Sequence, residues 1–197
     1  MGRHSRFLVG VLVALVIVAG AAVWLASKAG FRLSVNGTGV RSPLRDSRVV
    51  AFIRDPQEHA DWLVHEGQRC GLAPFQMPAT GFVGYLWDDS FRPGHRHQGI
   101  DIFGGGQPGD PPVFAAADGY LTREPDWKSS LIIRLPDDPL HPGRQIWTYY
   151  THMADANGNS FIDADFPPGT KEVFVKAGAL LGKMGNFSGN AGAPVGV

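Results

Sequence analysis

From residue 81 onward, glycine and proline cut the chain into short apolar runs, and that rhythm admits few architectures. The runs are Phe82-Val83-Gly84-Tyr85-Leu86-Trp87, Ile100-Asp101-Ile102-Phe103, Pro112-Val113-Phe114-Ala115-Ala116-Ala117, Tyr120-Leu121-Thr122, Leu131-Ile132-Ile133-Arg134-Leu135, Gln145-Ile146-Trp147-Thr148-Tyr149-Tyr150-Thr151, Val173-Phe174-Val175 and Ala179-Leu180-Leu181. Turn chemistry separates them, as at Gly104-Gly105-Gly106, Asp118-Gly119 and Gly178, and the proline-bearing loop 136–143 joins the fifth and sixth into a pair. Short, regularly spaced strands of this kind predict an antiparallel sandwich or barrel, not a parallel α/β sheet. The 26 glycines and 15 prolines fit many turns, and 197 residues with 44% hydrophobic content support one modest core.

The N-terminal part obeys different rules. Residues 7–26 carry no charge and hardly a polar atom. As a helix rising 1.5 Å per residue the run spans about 30 Å, the thickness of a bilayer's hydrocarbon core. It is longer than the apolar region of a secretory signal and has no clean small-x-small cleavage site, which favours an uncleaved single-pass anchor over a cleaved signal. Arg3 and Arg6 before it favour the N-terminus inside, so the remainder is expected on the extracytoplasmic side.

Eighteen Lys+Arg against 18 Asp+Glu give zero formal charge, and no basic cluster follows a phosphate backbone, so nucleic acid is not an expected partner. Cys70 is the only cysteine, which forbids an internal disulfide, and its setting reads as core filler at a helix end. Residues 27–48 read as a linker or a small β appendage. Asp55-Pro56-Gln57-Glu58 then offers an N-cap, a proline at the first helical position and a capping-box glutamate, predicting a short helix that ends near Gly67 or Gly71. His59 and His65 within it fall on different helix faces and read as surface or packing residues. The expected organisation is tail and anchor over 1–27, linker with a short helix over 28–80, and a β domain over 81–197.

The chemistry concentrates at His97-Gln98-Gly99-Ile100-Asp101. Imidazole nitrogen and carboxylate oxygen are both zinc ligands at about 2.0–2.2 Å, and a catalytic zinc takes three protein ligands with a fourth position left to water. On a straight strand residues four apart stand about 13 Å from each other, and on a helix about 5–6 Å. Gly99, Ile100 and Ile102 argue against helix, so for the two to share one ion a bend at Gly99 would have to fold His97 back toward Asp101.

His97-Gln98-Gly99-Ile100-Asp101-Ile102, the run from Pro112 to Tyr120, Tyr150-Thr151-His152-Met153, Val175-Lys176-Ala177-Gly178-Ala179-Leu180-Leu181-Gly182 and Gly185-Asn186-Phe187-Ser188-Gly189-Asn190 together resemble, in order, the lysostaphin/LytM-type zinc metallopeptidases. The resemblance covers residues 81–197. It implies an antiparallel β-sandwich/barrel hybrid of the LytM type, a zinc ion as cofactor, and hydrolysis of peptide bonds in peptidoglycan stem peptides or cross-bridges. His97 and Asp101 match the first two zinc ligands. His152 matches the histidine that lines the active site and stabilises the tetrahedral intermediate or orients water. Strand alternation places Ile146, Thr148, Tyr150 and His152 on one face.

In that family the third ligand is the second histidine of a His-x-His pair, whose first member is the general acid/base. Residues 189–197 resemble the approach to that motif, and no His-x-His follows them here. His95-Arg96-His97 has the spacing but occupies the first-ligand region, and His141 lies between prolines in a loop. The expectation is an extracytoplasmic zinc metalloendopeptidase, membrane-anchored through residues 7–26, whose 197-residue form is C-terminally incomplete, impaired in catalysis, and poorly soluble through an unpaired sheet edge. The alternative is a non-catalytic LytM-like module that binds cell wall or activates a separate amidase. Asp155-Ala156-Asn157-Gly158-Asn159-Ser160-Phe161-Ile162-Asp163 places oxygens as in a calcium loop, yet Ser160 replaces its glycine and Phe166 its closing glutamate, so a solvated turn is expected.

Overall fold

Alternation with a period of two decides how the central strands lie. In Leu131–Leu135 the side chains of Leu131, Ile133 and Leu135 are buried and those between them are not, while in Ile146–Tyr150 Trp147 and Tyr149 face outward and Tyr150 is buried. A computed structural model describes residues 43–89, 94–188 and 194–197. In chain order the elements are α1 (Pro43–Arg54), a 3-10 turn (Ala60–Trp62), β1 (Phe82–Val83), β2 (Ile102–Phe103), β3 (Pro112–Phe114), β4 (Gly119–Thr122), β5 (Leu131–Leu135), β6 (Ile146–Tyr150), β7 (Val173–Val175) and β8 (Leu180–Lys183).

The protein is mainly β, and every named strand pair is antiparallel. One sheet has the order β6-β5-β4-β7, and β1-β2 and β3-β8 form two-stranded pairs. Single bridges extend the small pairs: Phe103 of β2 meets Gly196, and Gly196 meets Gly185 just past β8. The main core lies on the inner face of the four-stranded sheet, where Leu121, Leu131 and Ile133 pack with Val113, Met153, Leu181 and Met184, all fully buried. A separate cluster joins α1 to the β1-β2 pair through Val49, Phe52, Phe82 and Phe103. Gly84 makes this docking possible, because a Cβ there would come 2.3 Å from the Phe103 ring and 3.1 Å from Val49.

The helix differs from the sequence expectation. It occupies Pro43–Arg54, overlapping the end of the stretch 27–48 read as linker or β appendage, and the predicted helix after Asp55 is only a 3-10 turn. Asp55 does accept a hydrogen bond from the Glu58 amide (3.2 Å), as the capping pattern implies. Helix growth stops because Leu63 turns extended (φ −73°, ψ 140°) and Val64 bridges to Gly81, so tertiary pairing overrides the cap. Cys70, expected as core filler, is exposed beside Gly71, whose φ of 59° makes it a turn residue. Among the described residues no helix is long and apolar enough to cross a membrane. The run 7–26, expected as an anchor, lies outside them. The described residues belong to one unit, Gly39–Val197.

Candidate functional site

The β1-β2 ladder does not end at the strand termini; it continues with an irregularity that shapes the site. Gly84 donates its amide to the Asp101 carbonyl (2.9 Å) and Asp101 its amide to the Tyr85 carbonyl (2.8 Å). Further out, Asp88 donates to the His97 carbonyl (2.8 Å) and His97 to the Asp89 carbonyl (2.9 Å). Between these contacts residues 98–100 face residues 86–87, one residue more on one side, as in a bulge, and the backbone bends at Gly99. The bend carries the His97 ring back over Gly99, and His97 Nε2 comes to 3.0 Å from Asp101 Oδ1. Both side chains are half-buried.

The second ring nitrogen fixes the chemistry. His97 Nδ1 lies 3.0 Å from the carbonyl of Leu86, an oxygen that only accepts, so Nδ1 carries the proton and donates. In the neutral imidazole Nε2 is then a lone pair aimed at a carboxylate oxygen. Two acceptors at that distance are held together by a proton, carried by the ring or by the carboxyl, or by a metal ion. A backbone carbonyl on the far nitrogen is the arrangement that orients histidine ligands of metals.

His152 is placed by other means. β6 ends at Tyr150, and His152 has φ 65°, in the left-handed region, so strand alternation does not extend to it and the expected shared face with Ile146, Thr148 and Tyr150 stops short. Tyr150 is drawn inward instead, its hydroxyl accepting from the Ala116 amide (2.8 Å), and burial raises its pKa. His152 Nδ1 donates to the Phe187 carbonyl (2.7 Å), which leaves Nε2 as the lone-pair nitrogen. This turn packs against Gly185, where a Cβ would lie 1.9 Å from the Ala154 carbonyl oxygen and 2.5 Å from that of His152. Backbone bridges lead from Gly185 through Gly196 to Phe103, two residues from Asp101.

The structure thus brings His97 and Asp101 together. Among the described residues no set of three or more His, Cys, Asp or Glu is grouped so as to hold a metal ion, so His152 stands outside such a group. The donors present suit zinc in kind, with one nitrogen and one oxygen supplied.

The segment 85–89 also contributes, a role that no motif in the chain announces. The Tyr85 hydroxyl donates to Asp46 Oδ1 on α1 (3.1 Å), and its ring stands edge-on to His97 at 6.3 Å between centroids. Burial, the Asp46 hydrogen bond and the nearby charges of Asp46, Asp101 and Asp89 push the Tyr85 pKa up to about 12. Arg45 of α1 pairs with Asp89 at 2.5 Å. Pro43 at the first helical position and Asp46 in the first turn were the signals that could have located this helix.

Among the described residues, His59, His65, His141 and the acidic loop lie outside this pair. His59 stacks on Trp62 with 3.9 Å between centroids, and His65 and His141 are exposed. Asp155 accepts from the Asn157 amide (2.9 Å), the Asn159 amide (2.8 Å) and Asn159 Nδ2 (2.7 Å), and these bonds, the Asn159 side chain first, hold its carboxyl below the ordinary range. Phe166, where a calcium loop has its closing glutamate, is buried. That loop is a self-satisfied Asx-type turn. Compared with known proteins, the sequence matches no family model and no curated protein.

Proposed function

We propose that residues 81–197 form a zinc metalloendopeptidase domain of the lysostaphin/LytM type, held outside the cytoplasmic membrane by residues 7–26 and acting on peptide bonds of peptidoglycan. The observation that carries this reading is the Nε2-to-carboxylate approach of His97 and Asp101, with the ring's other nitrogen committed to the Leu86 carbonyl. His97 Nε2 and Asp101 Oδ1 would hold the ion. Bound there, zinc would polarise the scissile carbonyl and lower the pKa of water. His152, its Nδ1 proton given to Phe187, presents the basic nitrogen that the family resemblance assigns to orienting water or stabilising the reacting centre.

The end of the β2 ladder supports the same reading. Ile102 and Val197 exchange both backbone hydrogen bonds, at 2.9 and 3.0 Å, so a residue one place further along that strand would stand opposite Asp101. It would share the face of Asp101 and Phe103, and the position after next would share it too. The resemblance calls for a His-x-His pair on such a strand.

Zinc affinity, measured by calorimetry on the 197-residue chain and on His97→Ala and Asp101→Asn, tests the pair. Each substitution should weaken binding by about tenfold or more. Appending a His-x-His tripeptide after Val197 should tighten binding and raise zinc-dependent release of soluble fragments from purified cell wall. Zinc binding indifferent to His97 and Asp101 would overturn the assignment. Wall binding with no metal dependence and no hydrolysis in the extended chain would instead support the non-catalytic module.

A further inference from the structure

We propose that Tyr85 is a positioning residue for His97, and that helix α1, which precedes the β domain, fixes the metal-ligating pair through it. This rests on the reading of His97 and Asp101 as zinc ligands, and it adds a requirement that the ligands alone do not reveal.

Both ligands take their geometry from the segment 85–89. The Tyr85 carbonyl holds the Asp101 amide (2.8 Å), the Leu86 carbonyl holds His97 Nδ1 (3.0 Å), and Asp88 and Asp89 bracket the His97 backbone. The segment belongs to no strand, since β1 stops at Val83. Irregular backbone of this kind keeps one conformation only where side chains tie it down.

Helix α1 supplies those ties at both ends. Asp46 accepts the Tyr85 hydroxyl (3.1 Å), and Arg45 reaches Asp89 (2.5 Å), whose same carboxylate oxygen accepts the Leu86 amide (2.6 Å). The Tyr85 ring stands edge-on to both His97 and Phe103, at 6.3 and 6.5 Å between centroids, so the His97 ring packs against a side chain that α1 holds in place. Val49 and Phe52 anchor the helix against Phe82 and Phe103. The order of dependence is α1, then Tyr85 and the Leu86 carbonyl, then the tautomer and aim of His97.

The test uses the full chain with Tyr85→Phe, Asp46→Ala and Asp46→Asn, read two ways. Nitrogen NMR, followed upward in pH until the ring is neutral, reports which His97 ring nitrogen keeps its proton, without any metal. Calorimetry with zinc alone reports affinity. Tyr85→Phe and Asp46→Ala should each turn the single Nδ1-protonated form into a mixture and lower zinc affinity by about tenfold. Asp46→Asn, which keeps an acceptor for the tyrosine hydroxyl, should restore both. Because Asp46→Ala leaves the Tyr85 ring in place, it covers the case in which Tyr85→Phe unfolds. An unchanged His97 tautomer in both disruptive variants overturns the proposal whatever zinc does. If the parent chain binds no zinc, the metallopeptidase reading fails, and the tautomer measurement still decides the role of Tyr85.

Discussion

His152 occupies φ 65°, where a residue with a Cβ costs about 1–2 kcal/mol relative to the right-handed region. What it gains there is one hydrogen bond to Phe187, worth about 1 kcal/mol net. Glycine accepts that backbone without strain but loses the ring and more unfolded-state entropy, so the terms nearly cancel. His152→Gly should therefore change the unfolding free energy in urea by less than about 1 kcal/mol while removing wall hydrolysis under the proposed function. A loss of several kcal/mol would mean that the ring is a packing element. At this scale the meeting of His97 with Asp101 was legible only as a condition, because sharing one ion required a bend and Gly99 could supply it. The placement of His152 was not, because alternation counts only while a strand lasts, and β6 ends at Tyr150.

Among elements, the strands were read well where both faces follow one rule. β5 and β7 coincide with their apolar runs, Leu131–Leu135 and Val173–Val175. β1 is shorter than its run because the ladder turns irregular beyond Tyr85, where residues 98–100 face residues 86–87. The loop joining β5 to β6 is ordered by a buried charge: Asp138, 2% exposed, accepts from the Leu140 amide (2.9 Å) and from Arg144 Nε (3.0 Å) and Nη2. The Leu140 amide first, and Arg144 after it, hold its carboxyl below the ordinary 3.8. A depressed carboxylate pKa contributes stability that is present above the unfolded value and lost as pH falls through the folded one. Loop 136–144 should accordingly loosen as pH drops below about 4, seen as proteolytic nicking near Leu140 by an acid-active protease. Asp138→Asn, which cannot titrate, should abolish that pH dependence, and persistence of it would assign the effect to another group.

At the scale of the molecule, two hydrophobic clusters divide the labour. Leu121, fully buried in β4, belongs to the main core under the four-stranded sheet, whereas Phe52 anchors α1 in the smaller cluster. Leu121→Ala should cost about 2–5 kcal/mol, and Phe52→Ala about 3–5 kcal/mol, by lost transfer energy plus the cavity left behind. The consequences should differ in kind. Hydrogen exchange should show Leu121→Ala weakening protection across β4, β5 and β6 together, and Phe52→Ala releasing α1 and segment 85–89 while the sheet keeps its protection. Uniform loss in both variants would show that the clusters unfold as one.

The apolar rhythm of the chain determined by itself that this protein is mainly β and antiparallel, and the turn chemistry at Gly99 permitted the bend that joins His97 to Asp101, a pair that the family resemblance marked out as a candidate site. Both are local properties, written in side-chain alternation and in the turn chemistry of glycine. Tertiary structure alone decided that the capping pattern after Asp55 yields only a 3-10 turn cut short by the Val64–Gly81 bridge, that Leu86 and Phe187 lend carbonyls to the two histidines, and that Tyr85 ties α1 to the site. Those outcomes depend on partners 11 to 39 residues away in sequence, so no local pattern carries them.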